Sequence, residues 1–555
     1  MSLISKAWAF RPGSRRGAPA LLIACVAAAC GGTSTGPSGT ARIVISPRAD
    51  TVFVGSTRQF GVTVTDSHGQ PQSNPTVNWS SRDTTVATVS PSGLASGLAV
   101  GTTHIVASSD GSTDSASITV RPIPVASISI SPATDTLAEG DSVQLTAMLE
   151  DSLGRPLSGR PVAWMSSDTL SATVSTTGLV RVVAGGAVTV TASSGGRSGS
   201  AQVFSLVRLM AVSAGYDHTC AIGVDSLAYC WGANDQGQVG HGDHQNTVVP
   251  VRVASAIHFV SISAGGDGVS SHSCALTASG NLWCWGQNGN GELGDGTVNS
   301  RTTPGLVPGG QMWADVAVGF GVTCGVTTSG KGYCWGFNGY GQLGIGSTTD
   351  AHQPTAVAGG LQLASITVGF KSTCGLGTSG QAYCWGFGFY GALGDSSTAD
   401  TSQPAAVVGG LNLSRVSQSL GITACGLTTS GKAYCWGYGL GGQLGDGVLG
   451  GIDYPVAVSG GLTFSTISAG ENPVCGLVAG SAYCWGQFGG GARDSVPTVV
   501  GGGLSFSSIA AGFQHVCAVA AGPAVYCWGG DGTHGELGVG DTNTRATPTK
   551  VAFQP

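Results

Sequence analysis

Ser213-Ala214-Gly215-Tyr216-Asp217-His218-Thr219-Cys220, with Cys230-Trp231-Gly232 ten residues beyond its cysteine, decides the fold of this chain because it recurs. The Cys-Trp-Gly triplet returns at Cys284, Cys334, Cys384, Cys435, Cys484 and Cys527, giving seven copies spaced by 43–54 residues. Most copies continue into Gly-x-Leu-Gly, as at Gly291-Glu292-Leu293-Gly294, and then into a Pro and a Val, as at Pro354 and Val357. Each unit reads as four short strands. The first ends at Ala-Gly, the second carries the first Cys, the third carries Cys-Trp-Gly, and the fourth follows the Pro. Four strands per ~50 residues predict sheets that stack radially, and closing the ring protects their edges. The fold class expected is all-β, with a seven-bladed β-propeller over 207–555. The sixth copy is short, with Gly489-Gly490-Gly491-Ala492 in place of Gly-x-Leu-Gly, and the fifth has Ser419 where others have Gly.

The 16 cysteines are Cys25, Cys30 and seven pairs: Cys220/Cys230, Cys274/Cys284, Cys324/Cys334, Cys374/Cys384, Cys425/Cys435, Cys475/Cys484 and Cys517/Cys527. Partners fall on neighbouring antiparallel strands joined by a Ser-Gly-type turn. Directly opposed residues there are ~4.5–5.5 Å apart, within disulfide reach. One disulfide per unit is expected, each worth about 3 kcal/mol in the chain-entropy model. Reduced core thiols and metal ligands are the alternatives. Zinc sites use Cys-x2–4-Cys clusters, which are absent, so no metal and no cofactor is expected. Cys475/Cys484, nine apart rather than ten, is the exceptional pair.

The repeated Ala-Gly-x-x-His-x-Cys-Ala-Leu…Ser-Gly-x-x-Tyr-Cys-Trp-Gly-x-x-x-x-Gly-x-Leu-Gly resembles the regulator of chromosome condensation repeat family. The resemblance implies a propeller that acts mainly through protein contacts. One bacterial class of relatives inhibits β-lactamases through an aromatic-lined face. The eukaryotic namesake exchanges nucleotide on a small GTPase. An exported, disulfide-bonded chain with no long inserted wedge is not expected to share that activity.

A second repeat occupies 41–206. Ile45-Ser46-Pro47 returns as Ile130-Ser131-Pro132, and Val77-Asn78-Trp79-Ser80-Ser81 as Val162-Ala163-Trp164-Met165-Ser166, each after 85 residues. Period-two alternation with Gly and Pro turns predicts two small sandwiches, 41–122 and 123–206, with Trp79 and Trp164 in their cores. Both resemble the bacterial immunoglobulin-like group 2 domain, which implies a spacer or adhesive role. Upstream, Arg11, Arg15 and Arg16 precede an apolar run too short for a ~20-residue membrane span but suited to a signal peptide over 1–29. Ala27-Ala28-Ala29-Cys30-Gly31-Gly32 resembles a bacterial lipoprotein signal, with Cys30 lipidated and 30–40 as linker. Leu22-Ile23-Ala24-Cys25 is a second box, and ordinary cleavage near Ala29 is a third reading.

Charged residues make up 9% of the chain, against about 25% in ordinary domains. The net charge is −6 and becomes more negative once Lys6, Arg11, Arg15 and Arg16 are removed. Nothing here forms an electrostatic footprint for nucleic acid. Membrane contact is expected only through the lipid anchor. No nucleophile elbow, zinc-protease motif or phosphate loop occurs, so no catalytic residue is assigned. His218, His272 and His515 recur two places before the first Cys, which points to a structural role. What breaks the repeat symmetry is aromatic. Strands alternate in direction, so the loop between strands one and two and the loop between strands three and four open on one face. The first loop carries Tyr216, Phe320, Phe370 and Phe513; the second carries Phe337, Tyr340, Phe387, Phe389, Tyr390, Tyr438 and Phe488; all but Tyr216 are assigned to the binding face. Aromatic, charge-poor patches are what binding hot spots look like. The expected function is that of an exported, lipid-anchored, monomeric cell-surface binding or adhesion protein, taking a protein or glycan partner on this face. A purely structural envelope protein is the alternative. A propeller-scaffold lyase or glycan hydrolase is a further one, for which paired carboxylates would be the mark.

Overall fold

The computed structural model describes residues 42–137, 140–487, 493–530 and 533–554. The signal segment, Cys30 and Phe488 lie outside the described residues. Apart from two 3-10 turns, Ala358–Gly360 and Phe389–Gly391, every named element is a strand. The chain divides into two compact units, 1–124 and 125–555.

In the first unit, Ala49–Phe53, Ser112–Arg121, Gly101–Ser109 and Asn78–Ser81 form a four-stranded sheet in that order. A three-stranded sheet faces it, and a two-stranded ribbon begins the domain. Burial alternates along Gly101–Ser109 as its sequence does, placing Ile105 and Ala107 fully inside. Trp79 is partly buried rather than central: its indole lies over Gly93, where a Cβ would approach it to 2.9 Å. Residues 125–206 repeat this plan, with Trp164 over Gly178.

From Leu209 onward the described residues form seven four-stranded antiparallel sheets, each with its strands in sequence order. We number them sheets one to seven. In sheet three the strands are Trp313–Val318, Val322–Thr327, Gly332–Gly336 and Ala351–Ala356. First strands pack against first strands all the way round, and that of sheet seven returns to that of sheet one. Ser and Thr side chains stitch this inner ring. Ser213 accepts the Ala264 N–H, Ser263 that of Val318, Ser417 that of Ala469 and Ser468 that of Ala511, each at 3.0 Å. The fourth strand does not follow the Pro but contains it: Pro354 lies inside Ala351–Ala356. This is the outer edge strand, where a missing N–H breaks no ladder bond.

All seven cysteine pairs are disulfides joining directly opposed residues of strands two and three. The nine-residue interval of Cys475/Cys484 follows from its turn. Val478 pairs with Ser481 across Ala479 and Gly480, both with positive φ, a tight two-residue hairpin. The register stays in phase, so the cysteines still meet.

The Cys-Trp-Gly and Gly-x-Leu-Gly motifs are two halves of one joint. Each third strand bulges at its Trp, as between Cys334 and Gly336. Trp335 is fully buried, and its indole N–H donates to the Glu292 carbonyl of the preceding sheet at 2.8 Å. Trp285, Trp385 and Trp485 do the same to Gln238, Gln342 and Gln443. Trp231 closes the ring on Glu536. The last Gly of Gly-x-Leu-Gly has positive φ and sits on that indole. A Cβ at Gly344 would lie 2.5 Å from Trp385 Nε1. The second sandwich is fused to sheet one: Ala184 and Val207 share a core with Tyr229 and Trp231. The Tyr229 hydroxyl accepts the Gly185 N–H and donates to Asp225.

Candidate binding face

Sequence reading assigned ten aromatic residues to the binding face, and the structure brings eight of them into one band. Phe370 lies 4.7 Å from Phe320, which meets Phe337 edge-on at 6.3 Å. Phe337 then meets Tyr340, Tyr340 meets Phe387, and Phe387 meets Phe389, at 6.2, 5.2 and 5.8 Å. Tyr390 follows at 4.3 Å and Tyr438 at 5.2 Å. The band crosses sheets three, four and five. Such tilted and edge-on pairs are worth about 0.5–1.5 kcal/mol each beyond their burial. Lys371 holds its centre: its ammonium lies 4.5 Å from the Tyr340 and Phe370 ring centres and donates to the Tyr340 hydroxyl. Phe389 is 51% exposed and Tyr390 39%, while the other six rings are half-buried. Phe513 does not join the band. Sheet seven adjoins sheet one, so Phe513 stacks on Tyr216 at 3.9 Å instead.

The loops from strand three to strand four explain where the band surfaces. In sheets one to three a fully buried asparagine pins the loop. Asn338 Oδ1 accepts the Leu343 N–H, and its amide donates to the Ser347 and Thr349 carbonyls. Gln342 adds a second pin by accepting the Tyr340 N–H. Sheet four has Gly388 and Ala392 at these two places. The Ala399 carbonyl fills the space, 2.1 Å from where a Gly388 Cβ would stand. The loop turns through Phe389–Gly391 with Tyr390 at φ 56°, a conformation rare for a bulky residue. The Trp436 indole N–H, fully buried, is left without a partner.

The recurring histidines are bonded between neighbouring sheets. Asp217, His218 and Ser273 fall in succession, with His218 Nε2 2.9 Å from the Ser273 hydroxyl. Yet that hydroxyl donates to the Gln238 carbonyl, so Nε2 is the donor, the reverse of nucleophile activation. His218 and Ser273 are also fully buried. His272 with Thr323 and His515 with Thr219 repeat the pairing between their own sheets. Burial pushes the His272 imidazole down to about 4, keeping it neutral. These histidines are inter-sheet struts. Among the described residues no group of three or more His, Cys, Asp or Glu is placed to hold a metal.

Sequence reading missed a charge pair on the inner ring. The aligned first-strand position carries Ala211, Ser261, Asp315, Ser365, Arg415, Thr466 and Ser508. Asp315 and Arg415 line one cavity of about 460 Å³ with Ser365 between them. Burial raises the Asp315 carboxyl although it accepts the Val316 and Ile366 N–H groups, and burial lowers Arg415. Comparing the seven copies position by position reveals these two charges.

Comparison with known proteins agrees with this architecture. The family model described as bacterial Ig-like domain (group 2) matches residues 40–120 and 124–204. The model described as regulator of chromosome condensation (RCC1) repeat matches 225–276, 279–326 and 329–376, and a second model of that description matches 211–238. Ice-binding protein 1 of Shewanella frigidimarina is 38% identical over 160 residues, 28% of this chain. The chain spans 18% of that relative's length. Among solved structures, human WBSCR16 aligns with TM-score 0.53 at 18% identity, over 58% of this chain and 93% of its own. Yeast RCC1 (Prp20), solved with Kap60 bound to it, aligns with TM-score 0.52 at 21% identity, over 62% and 85%. The chain is therefore an all-β protein of two bacterial Ig-like group 2 domains followed by a propeller of the regulator of chromosome condensation repeat family.

Proposed function

We propose that this chain is an extracellular binding protein whose propeller docks a partner on the aromatic band of sheets three to five. The carrying observation is the band itself: eight rings in continuous contact, surfacing at Phe389 and Tyr390. Exposed aromatic groups ringed by packed neighbours are the anatomy of an interface hot spot. Seven disulfides support a working place outside the reducing cytosol. Cys30, outside the described residues, is the proposed lipid attachment. Binding is also what the names of similar proteins record: Ice-binding protein 1, and yeast RCC1 solved with Kap60. The partner is a protein or glycan of the cell surface, and no catalytic step is proposed.

The test is capture of cell-surface proteins and glycans by the full chain against its Phe389→Ala/Tyr390→Ala variant. The full chain is the right reagent, because cutting before Val207 would uncover the core shared by Ala184, Val207 and Tyr229. Capture by the native chain and loss in the variant is expected. Equal capture by both removes the face from the account, and capture by neither favours a structural envelope role.

A further inference from the structure

We propose that the cleft between sheets four and five, at the exposed end of the aromatic band, binds an uncharged oligosaccharide. This rests on the binding reading above and names the ligand chemistry at one part of that face. The cleft has a volume of about 490 Å³ and is lined by Tyr390, Thr398, Gly451, Ile452, Asp453 and Tyr454. That size lies within the ~300–1,000 Å³ of small-molecule sites. Tyr390 and Tyr454 are 39% and 49% exposed. A pyranose ring offers an apolar C–H face and a rim of hydroxyls, and this lining answers both. The tyrosine rings supply apolar surface. The Asp453 carboxylate and the Thr398, Tyr390 and Tyr454 hydroxyls make no hydrogen bond within the described residues, which leaves them free for sugar hydroxyls. Asp453 is the one charged residue in the lining and no basic residue joins it, so phosphorylated, sulfated and acidic sugars are disfavoured.

A second observation marks the same joint. Tyr390 and Ser396, in one loop, both have positive φ, at 56° and 64°. The Trp436 indole N–H is the buried donor left unpaired where sheets four and five meet. Strained residues and an orphaned donor cost stability, and such departures gather at functional sites. Here they accompany the turn that carries Tyr390 into the cleft.

The experiment titrates the full chain with cellotetraose, chitotetraose, maltotetraose and laminaritetraose, read by calorimetry and saturation-transfer NMR. At least one is expected to bind, with Tyr454→Ala weakening it by about tenfold or more and Asp453→Asn by several-fold. Tyr390→Gly separates binding from folding. Glycine accepts positive φ, so that variant is expected to keep or raise thermal stability while losing the sugar. Binding of none of the four, or binding that survives both Tyr454→Ala and Tyr390→Gly, overturns the proposal. If no oligosaccharide binds yet cell-surface proteins are captured through Phe389 and Tyr390, only the saccharide assignment fails and the binding face stands.

Discussion

The loop from strand three to strand four is built in two ways in adjacent sheets. In sheet three, Asn338 and Gln342 hold it by side-chain hydrogen bonds to its own backbone. In sheet four, Gly388 and Ala392 supply neither, and backbone packs on backbone. The pinned loop keeps Tyr340 half-buried, whereas the unpinned loop presents Phe389 and Tyr390 to solvent. The unpinned design also leaves Trp436 unpaired, while the pinned loop gives Trp385 the Gln342 carbonyl. A repeat protein thus acquires a distinctive surface by deleting polar anchors as much as by adding aromatic residues.

The comparison breaks most visibly if sheet three is unpinned. Asn338→Gly with Gln342→Ala removes buried hydrogen bonds and is expected to cost about 3 kcal/mol in denaturant unfolding. A cost near zero would mean that the pins do not hold the loop. The reverse transplant, Gly388→Asn with Ala392→Gln, is expected to destabilise by roughly 2 kcal/mol, because a Cβ at position 388 would meet the Ala399 carbonyl at 2.1 Å; a gain in stability would show that the loop can be rebuilt around the side-chain pins. Tyr390→Gly alone is expected to stabilise by about 1 kcal/mol, since only the strain is relieved; destabilisation would show that its ring contacts outweigh the strain.

The smallest effect concerns Glu471, in the strand-one-to-two loop of sheet six, whose methylenes pack on Gly421. Burial raises its carboxyl from 4.5 to about 7. Folding therefore favours the protonated form. The stabilisation is complete below about 4.5 and is lost as pH rises through about 7. Glu471→Gln should flatten the thermal midpoint across that window, and an unchanged pH profile would contradict the assignment.

The architecture was legible because its signals are local and repeated. Cys-Trp-Gly fixes the third strand, and the interval to the preceding Cys fixes the hairpin that joins it to the second. The shared opening of two loop sets on one face followed from strand alternation, so Phe320 and Phe337 could be placed together. Other features depended on neighbours in the ring. Phe513 went to Tyr216 because sheet seven touches sheet one. Thr398 and Tyr454 come from different sheets and meet in a cleft that no single repeat contains. The role of Gly388 is an absence, visible only once Asn338 is seen bonded.

The central claim, that the partner docks on the band, is tested most directly by hydroxyl-radical footprinting of the full chain with and without a captured partner. Protection centred on Phe389, Tyr390 and Tyr438 is predicted. Protection confined to the Ig-like domains, or to the side of the ring carrying Tyr216 and Phe513, would contradict it.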